Sequence, residues 1–312
     1  MIDDVSDFRI LVDGREVSQI ASPRRPVWII INKSLFVGRL REMAEAEGAR
    51  LVYAAPRPEG GMRVDARGPY SRVGEEGQII VYRAIARAPE WPSYTALIDF
   101  RVSETGLYWV FPAGDGRINA GAGFLKGPQD VRALRDATRR YLEASLSRFE
   151  VVDEKAAPLS PLRSPLLYDR GALYVGEAAG LVNALSGEGI RQAVESALHL
   201  AEATHSCGLH PQCSRRRYRT YARRLVFEAQ ISKTILRAVL RAPPRKSAAA
   251  LESLPEGFWR RFLEGKLISG VARAAIQPAS AVRAASLLLH LLGGGPRRKN
   301  GETTLRRASG QL

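Results

Sequence analysis

Residues 176–197 read "GEAAGLVNALSGEGIRQAVESA". It follows the apolar run "ALYV" at 172–175 and leads into a helical pattern that carries on toward Ala203. A strand that ends in glycine and re-emerges as a helix leaves free N–H groups and a partial positive charge at the helix start. Gly176, Gly180, Gly187 and Gly189 let a planar or phosphorylated ligand approach the backbone closely. Glu177 can accept hydrogen bonds from sugar-like hydroxyls, and Asn183 can orient the loop or a ligand. The residues describe a cofactor-sized site. A plain strand–turn–helix connection accommodates them equally well.

The chain has 312 residues, 45% hydrophobic and 25% charged, an ordinary globular balance that can bury a core. The net charge is +15, and 40 of the 47 cationic side chains are arginine, spread along the chain. Such a balance suits an Arg-rich solvated surface, an anionic membrane face or an anionic substrate. No nucleic-acid module is evident and aromatics are sparse at 7%, so a nucleic-acid partner is not expected. The acidic start "MIDDVSDFRI" is no signal peptide, and no apolar run reaches the ~20 residues needed to cross a bilayer. The expectation is a cytoplasmic protein, peripheral to the inner face of a membrane. Two cysteines do not make a disulfide framework. His205, Cys207, His210 and Cys213 are metal-ligand types close together, but C-x5-C is a poor zinc spacing. A helix-ending loop is preferred there to a disulfide or a metal site, and no metal is expected.

Residues 8–31 read as a hairpin turning at Asp13-Gly14, then a strand from Val27. A helix follows with Leu35, Phe36, Leu40, Met43 and Ala44 on one face and Gly48 at its end. "RLVYA" at 50–54 reads as a strand and "VDARGPYSRV" at 64–73 as a loop. Four strand-like runs between Gly77 and Leu125 form an antiparallel sheet. A helix is expected from about Pro128 to Arg148, and from Arg215 the chain is mostly helical, broken at Pro243-Pro244. Tyr108, Trp109 and Phe111 alternate, so Tyr108 and Val110 share one face of their strand and Trp109 and Phe111 the other.

The quoted stretch resembles the second flavin-binding motif of the geranylgeranyl reductase family, FAD-dependent oxidoreductases of the para-hydroxybenzoate-hydroxylase-like fold. The family pattern is an apolar strand, Gly-Asp-Ala-Ala-Gly, Asn-Pro, then Gly-Glu-Gly-Ile. Here it reads Gly176, Glu177, Ala178, Ala179, Gly180, then Asn183, Ala184, then Gly187, Glu188, Gly189, Ile190. Glu177 replaces the family Asp and keeps the carboxylate. "GLYWVFPAGDGRINAGAGF" resembles the family's Tyr-x-Trp-x-Phe-Pro segment, compressed to Tyr108, Trp109, Phe111 and Pro112. Asn32, Lys33, Ser34, Leu35 and Phe36 resemble the family's Asp-Arg-x-x-Phe helix start, and Arg67 stands where relatives carry the Asp of an Ala-Asp-Gly turn.

The resemblance implies FAD as cofactor, with Gly176, Glu177, Ala178, Gly180, Asn183, Gly187, Gly189, Ile190 and Lys33 around it. It implies a polyprenyl lipid against Tyr108, Trp109, Phe111 and Pro112, and reduction of its C=C bonds with electrons from an unidentified donor. The fold class it implies is α+β with flavoprotein-like α/β parts. A partial FAD-binding domain spans 1–76, an antiparallel-sheet substrate domain 77–127, and 128–205 returns to the FAD-binding domain. A helical region covers 206–292 and a disordered basic tail 293–312. No Gly-x-Gly-x-x-Gly stands near the N-terminus. The resemblance therefore implies a flavin-binding domain that lacks its first βαβ unit. A non-catalytic or split subunit and a flavin monooxygenase are the alternative readings.

Overall fold

The computed structural model describes residues 3–22, 24–53, 61–72 and 77–266. The end of the expected helical region, 267–292, and the expected tail, 293–312, lie outside these residues. Strand β1 (Asp3–Val5) pairs antiparallel with β4 (Trp28–Ile30). Between them β2 (Asp7–Val12) and β3 (Arg15–Ala21) form the expected hairpin. Asp13 and Gly14 both hold positive φ, 49° and 84°, the two-residue turn that matches strand twist. The Gly14 N–H donates to the buried carboxylate of Asp99 at 3.0 Å, which ties the hairpin to the main sheet.

Helix α1 (Lys33–Ala46) starts where Asn32 accepts from the Leu35 N–H at 3.1 Å, and Gly48 follows its end with φ 89°. It buries none of its residues; Leu35, Leu40 and Met43 stay exposed among the described residues. Arg50–Tyr53, expected as part of a strand, has no strand pairing. Ten residues beyond Tyr53, a strand begins that overlaps the expected loop at 64–73. This strand, β5 (Arg63–Asp65), runs parallel to the strand that feeds the quoted stretch, and one 3₁₀ turn (Gly68–Tyr70) follows it.

Four strands, β6 (Ile79–Arg87), β7 (Thr95–Arg101), β8 (Gly106–Pro112) and β9 (Arg117–Phe124), fall where the turn spacing places them. The sheet reaches beyond the expected 77–127 segment. With β10 (Glu150–Leu159) its seven strands run β10-β6-β9-β8-β7-β2-β3. Only the β2–β7 pair is parallel. One face is covered by α2 (Val131–Glu143), shorter than the expected 128–148 and capped by Asp130. Leu134, Ala137 and Leu142 bury against even-numbered residues of β6, β8 and β9.

The other face carries Phe8, Ile98, Phe100, Trp109 and Phe111. Helices of the C-terminal region close over it. A three-stranded sheet holds β11 (Tyr168–Asp169), β12 (Ala172–Tyr174) and β5 in that order. After β12 come α3 (Ile190–His205), α4 (Pro211–Tyr221), α5 (Arg223–Arg241), α6 (Pro244–Glu252) and α7 (Glu256–Leu263). Pro243 and Pro244 separate α5 from α6, as expected. Cys207 and Cys213 form a disulfide, against the preferred reading of a plain loop. The turn between α3 and α4 brings their Cα atoms to 5.7 Å, within the span a disulfide bridges.

Candidate functional site

The quoted stretch divides into a packed half and an open half. Gly176, at the end of β12, has φ 58° and donates its N–H to Ser196 Oγ at 2.9 Å. A Cβ here would sit 3.0 Å from that of Ala193, so α3 crosses directly over the strand end. Ala178 and Ala179 are fully buried. Gly180 has φ 69°, and a Cβ would come within 2.6 Å of the Ser164 carbonyl oxygen. These glycines admit neighbouring protein backbone rather than a ligand. Asn183 is buried too; its side chain accepts from the Leu185 N–H at 3.0 Å, and its carbonyl accepts from Gly187 at 2.9 Å. It shapes the loop.

Helix α5 fastens this packed half from behind. Ser232 Oγ accepts from the Ala184 N–H at 3.1 Å. Lys233, 1% exposed, donates from Nζ to the carbonyls of Gly180 at 2.9 Å and Val182 at 3.1 Å. Burial, with Arg237 nearby, pulls its ammonium down from 10.5 to about 8. Nothing in the periodicity around "EAQISKTIL" marks Lys233; its partners are backbone carbonyls 50 residues away.

The open half, Gly187–Ile190, lines a cavity of about 780 Å³. Gly187 needs its glycine for φ 70°. Gly189 is the N-cap of α3 and has no side-chain cap bond. The first-turn N–H groups of a helix have no intrahelical acceptor, so a 16-residue helix begins here against an apolar space with donors to spare. Beside it the half-buried Glu188 has its carboxyl pushed up by burial, opposed mainly by Arg191. Arg191 in turn pairs with Glu195 at 3.1 Å and Glu228 at 3.3 Å.

Trp109 and Phe111 stand in the cavity wall, with Trp109 donating to Asn119 at 3.1 Å. Gly121 allows this, because a Cβ there would overlap the Trp109 ring. Tyr108 and Pro112, expected against the substrate, are not in that wall. Strand alternation turns them to the other face, where Tyr108 stacks on Tyr141 at 4.2 Å. Wall residues that motif reading misses come from β4, β7, α6 and α7, among them Trp28, Phe100, Leu251 and Phe258. The run "GFWRRFL" carries the signal: Phe258, Trp259, Phe262 and Leu263, at helical spacing, are all buried.

Glu177 lies apart from the cavity. Its carboxylate accepts from the Ser160 N–H at 2.8 Å. Burial raises its pKa, opposed by that N–H and by the nearby charges of Arg163 and Lys33. Lys33, at the start of α1, thus shares an electrostatic neighbourhood with Glu177. Arg67 is taken up by Asp65, at 2.6 Å, and this hydrogen bond above all brings the Asp65 carboxyl down to about 2.

No protein-family model matches the chain. A menaquinone reductase of Mycolicibacterium smegmatis is 34% identical over 140 residues, 41% of this chain and 34% of that protein. A digeranylgeranylglycerophospholipid reductase of Methanothermobacter thermautotrophicus is 34% identical over 99 residues, 31% of this chain and 25% of that protein. Among solved structures, a geranylgeranyl bacteriochlorophyll reductase-like protein of Thermoplasma acidophilum superposes with TM-score 0.73 at 17% identity, covering 91% of this chain and 83% of that one. Over these segments the chain is similar to prenyl-chain reductases, and its fold is that of the reductase-like structure. The chain matches about a third of the length of the first of these curated relatives and a quarter of the second. The fold recurs in a triple mutant of the flavin-dependent brominase Bmp2, at TM-score 0.61 and 14% identity, with 92% of this chain and 82% of that one covered. The α+β class expected from the resemblance is the one observed.

Proposed function

We propose that this protein is an FAD-dependent oxidoreductase that reduces C=C bonds in the prenyl chains of a lipid. The observation that carries the reading is one wall shared by two features: an uncapped helix N-terminus at Gly187–Ile190 and an extended apolar cavity floored by Trp109 and Phe111. The ring end of a flavin fits the first feature. A flat ring can meet backbone at Gly187 and Gly189, and the N–H groups of Gly189 and Ile190 suit a carbonyl edge that gains negative charge. When bound, reduced flavin supplies the hydride. The chain's own residues hold the alkene against aromatic and aliphatic walls and keep water out. Glu177 and Lys33, outside the cavity, suit the polar chain of the cofactor.

The adenosine diphosphate end has no such counterpart among the described residues, which contain no Gly-rich strand-to-helix turn of the pyrophosphate-binding kind. A second reading follows from this, in which tight FAD binding needs residues beyond those described. It is favoured by β5, which among the described residues has a strand partner on one side only and leaves Val64 half exposed, and by the exposed apolar residues of α1. A parallel strand is normally covered on both faces.

No described helix is long and apolar enough to cross a membrane. We place the working position at an anionic bilayer surface, supported by the +15 charge and by the water-insolubility of a diprenyl substrate. The test of the proposal is incubation with chemically reduced FAD and a geranylgeranyl lipid, read by mass spectrometry. Products gaining two hydrogens per bond are expected. A bound, reduced flavin that leaves the lipid mass unchanged overturns the reading.

A further inference from the structure

At the α6–α7 end of the cavity two polar atoms have no partner among the described residues, Trp259 Nε1 and Ser247 Oγ. Both residues are 1% exposed and both line the cavity. The other three indoles are each paired: Trp28 donates to the Leu263 carbonyl at 2.9 Å, Trp91 to the Thr95 carbonyl at 2.9 Å, and Trp109 to Asn119 at 3.1 Å. Packing holds Trp259 in place. It stacks on Phe100 at 5.8 Å and lies edge-on to Phe258 at 5.2 Å and Phe262 at 5.9 Å. The neighbouring wall, Phe100, Leu251, Leu254 and Phe258, has no side-chain acceptor to offer. Leaving a buried donor unpaired costs more than pairing one gains, so such groups mark a place where a partner is missing.

Charge limits what that partner can be. The arginines of the cavity wall are Arg101 and Arg191. Arg101 is engaged with the buried Asp99 at 3.4 Å, and Arg191 with Glu195 and Glu228. A phosphate group brought to the α6–α7 end would lose its water and find in this wall only arginines already held in ion pairs, the Nε of each being the buried donor without a hydrogen-bond partner. A neutral oxygen would find two donors.

We propose that the α6–α7 end of the cavity is a subsite for a neutral oxygen acceptor at the head of the prenyl chain, with Trp259 and Ser247 as its donors. The inference rests on the prenyl-reductase reading and adds the class of headgroup. The oxygen is a carbonyl or an ether, as on a quinone ring or a glycerol diether. The chain then runs along β8 and β9 toward Gly187–Ile190, and a diphosphate head is disfavoured.

The test uses ¹⁵N-labelled full-length protein, in which four indole N–H signals are expected, with Trp259 the one lacking a hydrogen-bond shift. Four probes of matched chain length are titrated in detergent: a prenyl quinone, a diprenyl glycerol diether, a prenyl diphosphate and a plain hydrocarbon. The quinone, the diether or both move the Trp259 signal downfield, and which of them does so identifies the oxygen. The hydrocarbon binds without moving it. Trp259→Phe keeps the ring and removes the donor. It weakens the oxygen-bearing neutral probes roughly five- to tenfold and leaves the hydrocarbon unchanged. Ser247→Ala gives a smaller loss of the same selectivity. Equal losses for every probe, tightest binding by the diphosphate, or a Trp259 signal already shifted by ordered water in the free protein overturns the subsite while the prenyl reading stands. Failure of all four probes to bind sinks the prenyl reading, and the subsite with it.

Discussion

Replacing Lys233 by methionine tests whether α5 fastens the packed half of the turn through a desolvated ammonium. The substitution removes the donor to Gly180 and Val182, which destabilises, and removes a buried charge, which stabilises, so the net effect at one pH is uninformative. The pH dependence separates the two. The Lys233 ammonium falls from 10.5 to about 8 in the folded protein. Below pH 8 the ammonium is present in both folded and unfolded chains, and the folded state bears the whole desolvation cost. As pH rises through 8 the folded state sheds its proton first, and above 10.5 the cost is gone. At about 1.4 kcal/mol per pH unit the full span is worth about 3 kcal/mol, of which about 2 kcal/mol falls between pH 7.5 and 9.5. Urea unfolding of both proteins across that range gives the difference directly. Wild type should gain about 2 kcal/mol relative to Lys233→Met as pH rises. A difference that stays constant, or moves the other way, refutes the desolvated ammonium.

Gly180→Ala combines φ 69° with a Cβ 2.6 Å from a backbone oxygen and should cost roughly 3 kcal/mol in thermal unfolding. Gly189→Ala, at φ −144° and 3.3 Å from Val182, should cost clearly less. Trp109→Ala removes the ring from the cavity wall, and hydrocarbon binding measured by fluorescence should weaken while α2 packing on the opposite face persists. Riboflavin and FAD should bind with affinities within about tenfold of each other, because the described residues add nothing for the diphosphate; a pyrophosphate cradle in the chain would separate them by far more. Sedimentation with anionic vesicles should exceed that with neutral ones and weaken with salt, each engaged basic residue contributing about 1 kcal/mol.

The hairpin at Asp13-Gly14, the strands between Gly77 and Leu125 and the break at Pro243-Pro244 are legible in the sequence because local chemistry determines them. Alternation along β8 places Trp109 and Phe111 together. Motif matching, which ignores that alternation, wrongly adds Tyr108 and Pro112 to the same wall. The β5 strand is hidden because its three residues pair with β12 about 110 positions later and carry no alternating pattern of their own. The packed and open halves of residues 176–190 look alike in sequence, since glycine serves both close backbone contact and ligand approach. Only the neighbours of each glycine tell them apart. Lys233, Ser247 and Trp259 come from helices whose periodicity shows which face is buried but not what that face meets.

Photo-crosslinking of a geranylgeranyl lipid that carries a diazirine within its chain most directly tests the claim that the opening of α3 and the apolar cavity form one site. Peptide mapping should find the label on the cavity wall, at Trp109, Phe111 or Ile190 and on α6 or α7, with competition by unlabelled lipid and reduced labelling in a Trp109→Ala protein that still folds. Label confined to the exposed face of α1, or spread without competition, contradicts it.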